Sequence, residues 1–182
     1  MKKILYVIGV FMTMACCFSC NNGKQQVADT TDTLEVETVD TALYGKIGEG
    51  TMMHTLELLT DDGQLMTMDI DEETGDGVLG GLLVGDRVSV TYAKGEDGNV
   101  AQKVINLTTL LGRWTSLDRN FTINEDGSVE SNVQAESRPY TQWSMLNGQL
   151  ILNADTFDVL SLGADSLSLE NANGIFVYKR QK

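Results

Sequence analysis

The chain is poor in the residues that bring reactive chemistry to a protein. Its 182 residues include one histidine, His54, and one proline, Pro139. Its three cysteines, Cys16, Cys17 and Cys20, all fall within the first twenty residues. Beyond Cys20 there is no thiol for a disulfide, a thiolate zinc site or a cysteine nucleophile. A serine triad would have to use His54, and neither Gly-x-Ser-x-Gly nor His-Glu-x-x-His occurs. Basic side chains are also scarce: 13 Lys and Arg stand against 26 Asp and Glu, for a net charge of −13. Nucleic acid and anionic headgroups are held mainly by Lys and Arg, so neither is an expected partner. These shortages point to a protein that is not an enzyme and needs no cofactor.

The one long apolar run lies at the start. Met1-Lys2-Lys3 is followed by uncharged residues 4–18, then by small Ser19 and Cys20. A basic start, an apolar centre and a small residue at the cut are the layout of a secretory signal. A membrane span needs about 20 apolar residues, and this run gives way to Asn21-Asn22-Gly23-Lys24. With Cys at the cut, the layout resembles a bacterial lipoprotein leader. Cys17 and Phe18 stand where that motif usually has Leu and then Ala or Ser, and a cut before Cys16, after Met14-Ala15, is the alternative. The resemblance implies a signal peptide over 1–19, lipid on Cys20 and attachment to a membrane through more than one acyl chain. Bacteroidetes-type lipoproteins bound for the cell surface carry acids just after that Cys. The neutral and basic residues here imply an outer-membrane protein facing the periplasm. Residues 20–41 are polar and rich in Thr, Asp and Glu. They read as a flexible tether, roughly 25 Å in reach for about 20 residues.

From Thr41 onward the pattern is strand, turn, strand. Asx-Gly pairs recur at Asp62-Gly63, Asp97-Gly98, Asp126-Gly127, Asn147-Gly148 and Asn173-Gly174, and these are strong hairpin signals. The class is all-β. A two-residue loop at Asn147-Gly148 sets Trp143 opposite Leu152 and Met145 opposite Leu150. A three-residue loop ending at Gly63 sets Leu58 opposite Met66, Leu56 opposite Met68 and His54 opposite Ile70. A slip of one residue would bring Glu57 onto the apolar face.

Residues 42–108 read as one domain, with strands at 42–48, 52–60, 64–70, 86–93 and 99–107. The glycine-rich stretch before Gly85 is expected to form one helical turn within 78–84. Three meandering strands, a crossover and two more strands resemble the five-stranded oligonucleotide/oligosaccharide-binding (OB) barrel. Residues 109–182 read as a second domain with eight strands, 112–117, 119–124, 128–134, 138–146, 149–153, 156–162, 166–170 and 174–180. It opens with Gly112-Arg113-Trp114. That opening, followed by an up-and-down meander, resembles the lipocalin-like domains of Bacteroidetes-type lipoproteins. In that family the Trp plugs one end of the barrel and a basic residue of the last strand packs on it. The resemblance implies this role for Gly112, Trp114 and either Lys179 or Arg180, the latter preferred.

Three sets of residues are candidates for binding. Trp114, Phe121, Tyr140, Trp143 and Tyr178 would line a small apolar ligand if the second barrel is open, or fill it if it is closed. His54, Met66 and Met68 share one face of the first hairpin, and imidazole with thioether sulfur suits Cu(I) or Ag(I). The set is similar to that of a periplasmic copper/silver chaperone built on the same kind of barrel, although Gly63 stands where that family has a capping Trp. The same alternation arises when Met fills a strand's core face. The acids Asp69, Asp71 and Glu73 resemble the start of a calcium loop, but Thr74 and Gly80 stand where an EF-hand needs Gly and Glu. Gly75 to Gly80 spells Gly-x-Gly-x-x-Gly without the strand–helix context of a dinucleotide site. The expected role is therefore binding, of a small apolar ligand or a protein partner, by a lipid-anchored envelope protein. An envelope scaffold without a ligand and a Cu(I)/Ag(I) carrier are the alternatives. Metabolic labelling with palmitate is expected to tag the chain and to fail on Cys20→Ala; label retained by the variant would place the acyl chains elsewhere.

Overall fold

The computed structural model describes residues 39–71, 77–133 and 137–181, and among these strands carry 59% and helix 3%. The expected signal peptide, Cys20, most of the expected tether, and Glu73, Thr74, Gly75 and Asp76 lie outside the described residues. The first sheet holds β1 (Leu43–Ile47), β2 (Thr55–Thr60), β3 (Leu65–Ile70), β4 (Gly77–Leu79), β5 (Arg87–Lys94) and β6 (Asn99–Asn106). A single helical turn, α1 (Leu107–Leu110), leads to the second sheet. That sheet holds β7 (Gly112–Thr115), β8 (Asn120–Ile123), β9 (Val129–Ser131), β10 (Trp143–Leu146) and β11 (Gln149–Leu152). It continues through β12 (Asp155–Leu162), β13 (Ser166–Asn171) and β14 (Gly174–Arg180).

Five strands of the first sheet close into a barrel. Strand β1 pairs antiparallel with β2 and β5, and parallel pairing of Met68–Ile70 with Asn99–Ala101 shuts the gap between β3 and β6. The three-residue loop holds Gly63 at φ 85° and gives Leu58 opposite Met66 and Leu56 opposite Met68. Inward alternation then seals Leu56, Leu58, Met68, Val88, Val90, Ala101 and Val104 in the core. The helical turn expected within 78–84 does not form. Strand β3 covers only the first part of β6, and the main chain of Lys103–Ile105 still needs partners. Strand β4 supplies them in parallel. Gly80 and Gly81 follow at φ 93° and 79°, which a right-handed helix excludes.

The second sheet forms a nearly closed antiparallel barrel of eight strands. Its end strands approach through Val129 N–H to the Thr141 carbonyl and Trp143 N–H to the Gly127 carbonyl, both at 2.9 Å. The Asn147-Gly148 turn has both residues at positive φ and sets Trp143 opposite Leu152 and Met145 opposite Leu150. The strand expected from residue 138 begins only at Trp143. Pro139 has no N–H to give, and Asn153 takes the place of a partner strand. Its amide donates to the Pro139 carbonyl at 3.0 Å and accepts from Thr141 N–H at 2.9 Å.

The two barrels belong to one compact unit, Thr38–Lys182. Tyr44, Leu79 and Ile105, outward on the first barrel, pack against or within the core cluster of the second. Fully buried Asn106 organises the junction. Its carbonyl oxygen caps α1 by accepting from Thr109 N–H at 2.8 Å, while its amide donates to the Gly81 carbonyl and to Asp86. Gly80 N–H donates to the Leu162 carbonyl at 3.0 Å, so the crossover of one barrel is stitched to a strand of the other. The entering chain is held by Asn147, which accepts from Thr41 N–H and Oγ1 and donates to the Val39 carbonyl.

Candidate binding site

The aromatic set fills the second barrel. Trp114, Phe121, Tyr140 and Tyr178 are buried. Phe121 meets Tyr178 and Tyr140 edge-on at 5.1 and 5.5 Å, and the chain of T-shaped contacts continues from Tyr140 to Phe157 and Phe176. Each such pair adds about 0.5–1.5 kcal/mol beyond the burial of its area. These rings pack against one another instead of lining an open mouth, because few other large side chains are available to fill so small a barrel. Trp143 differs: it is half-buried, at the margin of the core, with its indole N–H donating to the Asn124 carbonyl at 2.6 Å.

One end of the barrel is shut by Arg180. Its guanidinium lies 4.2 Å above the Trp114 ring. It also donates to the carbonyls of Leu111 at 2.6 Å, Ala164 at 2.5 Å and Thr109. The Trp114 indole N–H donates to the Leu110 carbonyl at 2.8 Å. Burial pulls the Arg180 pKa below its ordinary value, partly offset by Asp165. Gly112 sits at φ 111°, and a Cβ there would fall 2.7 Å from Arg180 Nη1. A side chain at 112 would therefore meet both a strained backbone and the guanidinium. Lys179, one residue earlier, points outward and is exposed.

The barrel wall is incomplete beside β14. Strand β7 pairs with β14 only at Thr115 with Lys179 and at Trp114 with Arg180. It then leaves the sheet in a turn closed by Ser116 N–H to the Arg119 carbonyl at 2.7 Å. Arg180 N–H points to the Asp165 carbonyl on the β13 side, and Gln181 N–H to the Arg113 carbonyl on the β7 side. By alternation, the main-chain groups of Ile175 and Val177 face the β7 side. Among the described residues no strand pairs with them there. Their side chains are 60% and 59% exposed, and Leu117, at the tip of the turn, is fully exposed. A groove of about 520 Å³ runs between them, lined also by Ser116, Asp118, Phe176 and Lys179. The sequence signal for this edge is non-local: a strand of seven residues beside one of four.

The other candidates are dispersed. Met68 is 1% exposed inside the first barrel, Met66 is half-buried against that core, and His54 is exposed in the turn before β2. The three do not share one accessible surface. Among the described residues no group of three His, Cys, Asp or Glu side chains could hold a metal ion, and Glu73 of the acidic series lies outside them. No helix of the described residues is long and apolar enough to cross a membrane.

Arg180→Gln removes the cation from Trp114 and leaves the carbonyls it serves without donors. It is expected to lower stability by roughly 2–4 kcal/mol in urea denaturation. Arg180→Lys keeps the charge but not the fork of donors and should lie between the two. Three chains of equal stability would show that the plug contributes nothing.

No family model matches the chain, and searches of curated proteins and of solved structures find no match either.

Proposed function

We propose that this chain is a non-enzymatic binding protein, carried by lipid on Cys20 at the periplasmic face of the outer membrane, that takes an extended segment of a protein partner along the free part of β14. The observation that supports this reading most is the pairing of an interior filled by its own aromatics with an open strand edge outside it. An added strand would satisfy the main-chain groups of Ile175 and Val177. It would also cover apolar surface on Ile175, Val177 and Leu117. Main-chain hydrogen bonds give affinity in this mode, and pockets for alternate side chains give selectivity. Strand edges left open invite unwanted pairing and are commonly blunted by charge. Here Lys179 stands at the point where the pairing with β7 stops. A small apolar ligand inside the barrel finds less support, since the rings that would line its site are packed against each other.

A photo-crosslinking residue at Leu117 in living cells is expected to trap a partner polypeptide. Ile175→Lys with Val177→Lys should abolish the adduct and leave the thermal midpoint nearly unchanged, since both side chains point to solvent. An adduct no stronger than that from exposed Leu160, or one that persists in the double variant, would refute the reading.

A further inference from the structure

Two neighbouring cavities lie where the barrels meet. One, of about 260 Å³, is lined by residues that include Arg87, Leu107, Leu111, Glu125 and Trp143. The other, of about 400 Å³, shares Arg87, Leu107, Glu125 and Trp143 and extends to Asp40, Tyr44 and Asp126. The shared residues join them into one cleft formed by both barrels and α1, remote in sequence from the β14 edge. Junctions of this kind are favoured places for small-ligand sites.

The chemistry of the cleft is one-sided. Its apolar lining consists of Trp143, whose indole N–H donates to the Asn124 carbonyl, with Leu107 and Leu111. Among the described residues its only cationic lining residue, Arg87, is already engaged. Both guanidinium nitrogens Nη1 and Nη2 donate to Asp61, at 3.0 and 2.6 Å. Three carboxylates remain on the lining, Asp40, Glu125 and Asp126. Asp40 accepts from Tyr44 Oη at 2.6 Å, Asn147 N–H at 3.0 Å and Ala42 N–H at 3.1 Å. Asp126 accepts from Ser128 Oγ at 2.6 Å and Ser128 N–H at 3.0 Å. Neutral donors hold a carboxylate in its charged form without cancelling the charge. Burial alone would raise the Asp40 pKa, but these bonds outweigh it and bring it below the ordinary value. The Ser128 bonds lower that of Asp126. The Glu125 carboxylate stands exposed on the β8–β9 turn.

We infer that this cleft binds a small organic cation, an ammonium or guanidinium group on a flat apolar body. The body lies on Trp143 and the leucines, and the cation sits among the carboxylates. An indole face attracts cations through its quadrupole, and the uncompensated acids add long-range attraction of the same sign. An anionic ligand would be repelled by the same field, and a neutral one would gain only the apolar lining.

The test follows the Trp143 indole N–H resonance of the full chain in detergent during titration with 2-phenylethylamine and, separately, with 2-phenylethanol, its uncharged counterpart. The amine is expected to give a saturable shift and to bind at least about five-fold more tightly than the alcohol. Glu125→Gln should weaken the amine about three-fold or more and leave the alcohol unaffected, with the thermal midpoint unchanged. No saturable shift with the amine, equal affinity for amine and alcohol, or an amine affinity indifferent to Glu125→Gln would each overturn the inference. Crosslinking at Leu117 is independent of all three outcomes.

Discussion

The contact of Arg180 with Trp114 holds the second barrel together. One guanidinium covers the indole that fills the end of the barrel and gathers carbonyls from α1, from Leu111 just before β7 and from the β12–β13 turn. Those carbonyls would otherwise be left without donors at a helix end and a strand start. The same α1 is capped from the other side by Asn106 of the first barrel. The plug and the junction therefore share one short segment, residues 106–112. A guanidinium suits this place because it is planar, stacks on an aromatic face and presents several donors in fixed directions.

The rings of Phe121, Tyr140, Phe157 and Tyr178 interlock inside the second barrel. What the fold leaves open arises from mismatch between its parts. Strand β14 outruns β7, which leaves an edge, and two curved barrels meet imperfectly, which leaves a cleft. In the first place free main chain and apolar side chains coincide. In the second an apolar lining coincides with unmatched negative charge.

Much of the architecture was legible because it is written locally. Asx-Gly turns fix where hairpins reverse, and two-residue alternation fixes which side chains face inward, so the registers around Gly63 and Asn147-Gly148 could be read directly. The resemblance left Lys179 and Arg180 both open, and the structure turns Tyr178 and Arg180 inward on β14 and leaves Lys179 exposed. Properties set by distant partners were hidden. Strand β4 exists because β6 is longer than its first neighbour, and the glycines around it carry no strand signal of their own. The alternation of Met66 and Met68 marks a shared face but does not tell core from surface; closure of the barrel decides that and leaves His54 outside. Pro139 and Asn153 shorten β10 through a side-chain contact fourteen residues apart, beyond the reach of any local pattern.

The central claim is that β14 is paired along its whole length on one side and along only two residues on the other. Hydrogen exchange of single amides reads this directly, because protection follows the partner of each N–H. The amides of Phe176 and Tyr178, directed at β13, are predicted to exchange at least about a hundred-fold more slowly than those of Ile175 and Val177. Uniform protection along β14, or slow exchange at Val177 in the isolated chain, would contradict an open edge.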